Sequence, residues 1–293
     1  MIIVQVMGGL GNQLFQYALG LRLAFERRTP LKLDIGWFKR QTLRSYQLDA
    51  LKIRVEIASP HEIEKFTRVN WGGLKGRAYQ AVQQRLPYFY RRVVMEKGPF
   101  FDPNVINKVS RNAYLIGYWQ AEKYFHPIVP LLREEIKPDG PFSPGCKAWG
   151  EKISGSKSTS LHVRRGDYVK ALHTNQVHGT CSLAYYAEAI SYIRQRFPEI
   201  TVYIFSDDMD WATQNFCSYP SMEFVELDSI NRDQEELLLM SLCDHHIIAN
   251  SSYSWWGAWL GTKPEKIVIA PQKWFNDTAL NPTDLIPENW IRF

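Results

Sequence analysis

Two spacings of apolar residues alternate along the chain: short unbroken runs, and stretches that recur every three or four positions. Ile2 to Val6 is a continuous apolar run, as expected of a strand buried on both faces, and it passes into the turn Gly8-Gly9-Leu10-Gly11. Leu14, Ala18, Leu21 and Phe25 then recur at helical spacing, and Pro30 to Ile35 supplies a second strand, so the chain opens as a β-α-β unit. Ser59-Pro60-His61-Glu62 has the form of a helix start: Ser as cap, Pro in the first turn, Glu reaching back. Ala113 to Ile116 is a further strand. The stretch Lys137 to Gly145 holds three prolines and two glycines, which let neither helix nor strand continue, and reads as a linker. Beyond it, strands are expected at Ser158 to Val163, Thr201 to Phe205, Glu223 to Leu227, His246 to Ala249 and Lys266 to Ile269. Helices fall between them, notably Ser182 to Phe197 and Asp233 to Cys243. This alternation on both sides of one linker predicts an α/β protein. Two Rossmann-like parallel-sheet domains, residues 1–140 and 150–293, are expected to face each other across a cleft.

Composition narrows the chemistry. With 45% apolar and 22% charged residues the chain has the balance of a folded globular protein. Aromatic residues reach 14%, including 10 Trp; such rings pack on the apolar faces of sugars as readily as in a core. The net charge of +5 favours an anionic ligand or a loose, peripheral association with an anionic membrane, but falls short of a nucleic-acid footprint. The stretch from Lys75 to Arg92, with Arg77, Arg85 and Arg91, is basic and amphipathic and reads either as a solvated helix face or as a contact with an anionic surface or lipid-linked acceptor. Four widely separated cysteines (Cys146, Cys181, Cys217, Cys243) form no CxxC pair, which argues against a zinc site. No apolar run is long enough to span a bilayer, and Met1 to Met7 reads as a strand instead of a signal peptide.

Four segments carry chemistry. In Gly8 to Leu14, glycines between strand and helix let backbone approach a ligand, with the helix N-terminus presenting free N–H groups to an anion. Asn12 and Gln13 add amides suited to hydroxyls or phosphate. The same turn, followed by Asp34, also matches a dinucleotide fingerprint, though Leu14 stands where the third glycine belongs. In His162-Val163-Arg164-Arg165-Gly166-Asp167-Tyr168, two arginines stand at the carboxyl end of a buried strand, where open parallel sheets hold ligands. Their planar forks suit a pyrophosphate, and they would stabilise the charge that a nucleoside diphosphate gathers as it leaves. Ser206-Asp207-Asp208-Met209-Asp210 contains an Asp-x-Asp that fits either a divalent cation or a helix cap; with two arginines available, no metal is required. Last, Glu236 on a helix is suited to accept from N1 and N2 of a guanine. Asn250-Ser251-Ser252-Tyr253-Ser254-Trp255-Trp256-Gly257 leads from a strand into a helix whose start can hold phosphate, with the two Trp favoured as packing.

Taken in order, these segments resemble the α-1,2-fucosyltransferases of glycosyltransferase family 11 in their bacterial form, over essentially the whole chain. The arginine motif is also similar to that of α-1,6- and protein O-fucosyltransferases. The resemblance implies a GT-B-type fold and inverting, metal-independent transfer of L-fucose from GDP-β-L-fucose to the 2-hydroxyl of a terminal galactose. GDP-fucose would sit on the C-terminal domain, with Arg164 and Arg165 on the diphosphate, His162 by the nucleoside, and Ser251 and Ser252 at the phosphates. Gly9 and Gly11 would border the donor, and Asn12 would reach the reacting centre. The acceptor would be a galactose-terminated oligosaccharide or a lipid-linked glycan, and the lack of an anchor points to a bacterial cytoplasm. For the general base, Asp167 and His178 both remain, as does a transition state dissociated enough to need none. The rival readings are a non-catalytic GDP- or sugar-binding protein and a nicotinamide or flavin oxidoreductase built on the N-terminal turn.

Overall fold

The computed structural model describes residues 1–68, 73–166, 179–277, 280 and 282–293. It divides into two compact units. The first holds Met1–Ile136 and Thr283–Leu285, the second Lys137–Pro282 and Ile286–Phe293.

In the first unit, β1 (Ile2–Gln5), β2 (Leu31–Asp34), β3 (Glu56–Ile57), β4 (Val93–Met95) and β5 (Ala113–Ile116) form a sheet of order β3-β2-β1-β5-β4, every pairing parallel. The helices are α1 (Leu10–Arg27), α2 (Pro60–Thr67), α3 (Gly73–Arg85), α4 (Pro103–Lys108) and α5 (Val129–Glu135). Leu14 and Ala18 of α1 are fully buried, whereas Phe25, expected on the same stripe, is 65% exposed in the last turn. Helix α1 comes close against the sheet at Gly20, where a Cβ would come within 2.5 Å of Val4 Cγ2 and 2.9 Å of Leu31 Cδ1. The small residue that a dinucleotide fingerprint wants at position 14 is therefore supplied six residues later, and Leu14 is ordinary core. Ser59 caps α2 in a full capping box with Glu62, as its spacing predicts. Of the basic stretch, Arg91 is not solvated: it is 6% exposed and gives its guanidinium N–H groups to the carbonyls of Leu86 and Gln84. The short returning segment Thr283–Leu285 is held by Asp284, whose carboxylate accepts from Phe101 N–H at 2.9 Å and Lys123 Nζ at 2.6 Å.

The second unit carries β6 (Ser158–Val163), β7 (Thr201–Ser206), β8 (Met222–Phe224), β9 (His245–Ile247), β10 (Val268–Ala270) and β11 (Ile291–Arg292) in the order β11-β10-β9-β6-β7-β8, again all parallel. Counted from its own first strand this is 3-2-1-4-5-6, the doubly wound order of dinucleotide-binding sheets. Its helices are α6 (Pro144–Ser154), α7 (Leu183–Arg196), α8 (Met209–Phe216), α9 (Arg232–Leu242) and α10 (Ser252–Leu260). Helix α6 begins inside the stretch read as a linker. Pro144 sits in its first turn, where the N–H it lacks would have no helical partner, and Ser143 caps it by accepting from Cys146 N–H. Trp255 and Trp256 are fully buried; Trp255 packs against Trp259 and Trp290 with ring centroids 6.1 and 5.4 Å apart, which makes the aromatic run core and not a sugar platform.

Helix α1 tolerates no side chain at its contact with β1. Gly20→Val is expected to cost about 1–3 kcal/mol by overpacking, read as earlier unfolding in urea; an unchanged midpoint would show that α1 can lift off the sheet without penalty.

Candidate functional site at the carboxyl edge of the second sheet

The strand order sets where a ligand can sit. The chain leaves β6 toward β7 on one side, while β9 and β10 continue on the other, so the loops that follow β6 and β9 part at a topological switch point. Arg164 and Arg165 follow β6; Asn250 and Ser251 follow β9.

Each group there is tied down by its neighbours. Arg164 Nη1 lies 2.9 Å from Asp207 Oδ2, with 16% of the arginine side chain and 25% of the aspartate exposed. Arg165 N–H donates to the other oxygen, Asp207 Oδ1, at 2.8 Å. Burial alone would raise the Asp207 carboxyl, but Arg164 and the N–H groups of Arg165 and Gly166 outweigh it and hold it below the usual carboxylate range. The Arg165 guanidinium stacks 4.1 Å over Trp211 and reaches Asp208 Oδ2 only at 3.4 Å. Asp208 caps α8 by accepting from Trp211 N–H, which is the helix-cap reading of the Asp-x-Asp. Among the described residues, no group of three His, Cys, Asp or Glu side chains is placed to hold a metal ion.

His162 is 3% exposed, its ring 5.4 Å from that of Tyr253, and its Nδ1 meets no hydrogen-bond partner among the described residues. Burial pushes it down to about 4, Arg164 adding to the effect and Asp207 opposing it, so the imidazole is neutral at physiological pH. Ser251 caps α10 by accepting from Tyr253 N–H, and Ser252 opens that helix. Asn250 Nδ2 donates to the carbonyls of Gly179 and Trp274 at 3.2 Å each, pinning the loop beneath the two serines. Glu236, on α9, is 8% exposed and bonded to Arg232 Nε at 2.6 Å. Burial raises its carboxyl to about 7 against the opposing pull of Arg232. Arg232 also reaches Ser206 O at 3.4 Å. Sequence reasoning passed over Arg232 and Trp211; the Arg-x-x-x-Glu spacing on α9 was the available signal for the first.

The structure thus brings His162, Arg164, Arg165, Asp207 and Asp208 together, with Arg232 and Glu236 joined to them through Ser206. Asp167 and His178 lie outside the described residues. Gly9, Gly11 and Asn12 belong to the first unit. There the backbone at Gly8 takes φ +80°, Gly9 caps α1, and Gly11 is buried in its first turn. Asn12 Oδ1 accepts from Gln120 Nε2 at 2.7 Å, at the carboxyl edge where β1 and β5 part. Gln13, expected to face a ligand, is instead fully buried and donates to the carbonyls of Gly8 and Ser45 while accepting from Gln47 N–H. An amide whose donors and acceptor are all spent on backbone is a pin for the turn.

The model of one family, described as Glycosyl transferase family 11, matches residues 96–293. The α-1,2-colitosyltransferase of Escherichia coli is 34% identical over 99% of this chain and 98% of its own length. The chain belongs to glycosyl transferase family 11. The O-antigen biosynthesis glycosyltransferase WbnK of Escherichia coli is 31% identical, with 97% of each chain covered. Among solved structures, the NodZ α-1,6-fucosyltransferase (NodZ being from Bradyrhizobium) co-crystallised with GDP superposes with a TM-score of 0.52 at 15% identity, covering 88% of this chain and 92% of that one; the likeness is one of fold, GT-B-type with two Rossmann-like sheets. Membership makes the protein a glycosyltransferase and sets aside the oxidoreductase reading of the N-terminal turn. No described helix is long and apolar enough to cross a membrane.

The Glu236 carboxyl gives the family-11 fold a pH signature. Its folded value, about 7, lies above the ordinary 4.5, so the protonated form stabilises the fold at low pH and that contribution is lost as pH rises from 4.5 to about 7. Glu236→Gln stays neutral throughout. Unfolding free energies in urea should therefore shift against the native protein, relative to this variant, by at most about 3 kcal/mol between roughly pH 5 and pH 8. A difference that is flat with pH would contradict the raised value.

Proposed function

We propose that this glycosyltransferase moves L-fucose from GDP-β-L-fucose to the 2-hydroxyl of a terminal galactose, with inversion and without a metal. The observation that carries the reading is the Arg164-Arg165 pair at the switch point of a 3-2-1-4-5-6 sheet in a member of family 11. Two cations at that edge suit a nucleoside diphosphate, and the charge they meet grows as the glycosidic bond breaks, so they act mostly in the transition state. The GDP bound by NodZ, a protein of similar fold, supports the same nucleotide here.

In this reading Arg165 binds the β-phosphate and Arg164, braced by Asp207, the rest of the diphosphate. His162 stands by the nucleoside as a neutral imidazole, Ser251 and Ser252 border the phosphates at the start of α10, and Glu236 accepts from N1 and N2 of guanine. The first unit serves the acceptor, with Asn12 as its contact to the reacting sugars and Gly9 and Gly11 giving room at the turn. Asp167 or His178 takes the acceptor proton if the transition state requires a base. The acceptor is a galactose-terminated or lipid-linked glycan, handled in a bacterial cytoplasm.

A second donor has its own support, because one relative matching along nearly its whole length is an α-1,2-colitosyltransferase. Colitose is L-fucose without its 3-hydroxyl, and a site built to hydrogen-bond that hydroxyl rejects the analogue lacking it far more strongly than an apolar pocket rejects the hydroxyl.

Incubation with lactose and either GDP-fucose or GDP-colitose, with and without EDTA, tests these readings together. EDTA-resistant α-1,2-fucosylated product, reduced about 10²–10³-fold in kcat by Arg165→Ala, is the expected result. Product only with GDP-colitose would replace the donor sugar and keep the rest. GDP bound without any turnover would favour a binding protein, and no GDP binding would end the donor assignment.

A further inference from the structure

We propose that helix α3 and the turn that follows it form a docking face for an anionic bilayer surface. The face is distinct from the donor edge and does not depend on the proposed reaction.

Charge is the first observation. From Lys65 to Met95 the sequence contains seven Lys and Arg and no Asp or Glu, in a chain of net charge +5; all the other residues together therefore carry −2. The chain's net positive charge therefore comes from about a tenth of its length, because the 28 other Lys and Arg are outnumbered by 30 Asp and Glu. Such a cluster is drawn to a negatively charged leaflet and loses that attraction within a Debye length.

Shape is the second. Helix α3 turns Tyr79 and Gln83 inward: Tyr79 OH donates to Phe66 O, and Gln83 Oε1 accepts from the N–H of Arg92 at 2.7 Å and of Val93 at 3.3 Å. At 100° per residue Leu74 and Ala81 then lie opposite, with Arg77 and Arg85 about 40° to either side of that direction and Ala78, Val82 and Lys75 on one shoulder. All of these are exposed, Leu74 at 84% and Val82 at 54%. Exposed apolar side chains interleaved with cations, in a stretch from Lys65 to Met95 that holds no Asp or Glu, suit a surface that is both anionic and apolar beneath. Directly after it, Phe89 and Tyr90 stand 64% and 67% exposed on a short turn, their rings 5.4 Å apart and edge to face. Tyr settles at the headgroup level, and Phe buries its ring at the acyl boundary just below it. Arg91 ties the turn to the end of α3 through the carbonyls of Gln84 and Leu86. Phe89 also borders a groove lined by Arg27, Lys108 and Arg111 together with Arg22 and a single acid, Glu26, which extends the cationic surface.

The test uses the full-length protein and co-sedimentation with vesicles, either of equimolar phosphatidylglycerol and phosphatidylcholine or of phosphatidylcholine alone. Binding to the anionic vesicles only, weakened by salt, is expected. Arg77→Gln with Arg85→Gln should lower the partition coefficient at least about tenfold, and Leu74→Ser with Phe89→Ser should do likewise at unchanged charge. Thermal midpoints and soluble-substrate turnover should hold in both variants, because every substituted side chain is exposed. Equal binding to both vesicle types, or none, would overturn the proposal. So would dimerisation in analytical ultracentrifugation that the Leu74/Phe89 variant abolishes, since the face would then belong to a second copy.

Discussion

A strand buried on both faces must deliver its chain to a loop whose polar groups still need partners, and at the end of β6 those partners come from Asp207. Its carboxylate takes the Arg164 guanidinium at one oxygen and the Arg165 N–H at the other, while Asp208 next to it caps α8. The carboxyl end of β6 is thereby locked to that of β7. Removing either charge would leave the other largely desolvated and uncompensated, a far greater cost than the pair's net contribution. The same constraint explains why both arginines stand at a sheet edge at all. Each is held in a defined place before any ligand arrives, which spares a substrate the entropy of ordering two long side chains.

The parts of this arrangement legible in sequence were those governed by local rules. Strands β5, β6 and β7, the Ser59 capping box and helices α7 and α9 follow from periodicity and caps, within a residue or two. The Asp-x-Asp was equally compatible with a cap and a metal because both use the same carboxylate oxygens; only the Trp211 N–H position separates them. What escaped was decided by tertiary partners. Strand β4, three residues long, has no period of its own and is defined by its ladder with β5. Gln13 looks like any exposed amide until the carbonyls of Gly8 and Ser45 appear beside it, and Arg91 is polar in sequence but capped by carbonyls in the fold. The start of α6 was readable, since Ser143-Pro144 is a cap followed by a first-turn proline, but the prolines and glycines before it outweighed that signal.

The two sheets use their switch points differently. At the edge of the first, the amides of Asn12 and Gln120 stand with the Glu96 carboxylate, which takes the N–H groups of Tyr118 and Trp119, and with the Arg44 guanidinium beside Gly9. At the edge of the second, three arginine–carboxylate pairs dominate. Amides suit hydroxyl-bearing ligands and guanidinium forks suit phosphates, which is the sense of the division of roles proposed above.

The two arginines are not equivalent, and the difference bears on the proposed donor. At the second edge Arg164, Arg165 and Arg232 pair with Asp207, Asp208 and Glu236, so their charges balance when Glu236 is ionised. A diphosphate bound there competes with these carboxylates for the arginine donors. Arg164 and Asp207 meet at 2.9 Å with little exposure, whereas Arg165 and Asp208 meet at 3.4 Å with 36% of the aspartate exposed. An exposed pair of the second kind is worth about 0–1 kcal/mol, less than the roughly 1.5–3 kcal/mol of a hydrogen bond to a charged group. Arg165 can therefore exchange Asp208 for a phosphate oxygen at a net gain while Trp211 keeps its guanidinium in plane, and Arg164 keeps Asp207. In the proposed reaction Arg165 would then meet the leaving β-phosphate most directly, while Arg164, still braced by Asp207, would hold the rest of the diphosphate with its remaining donors.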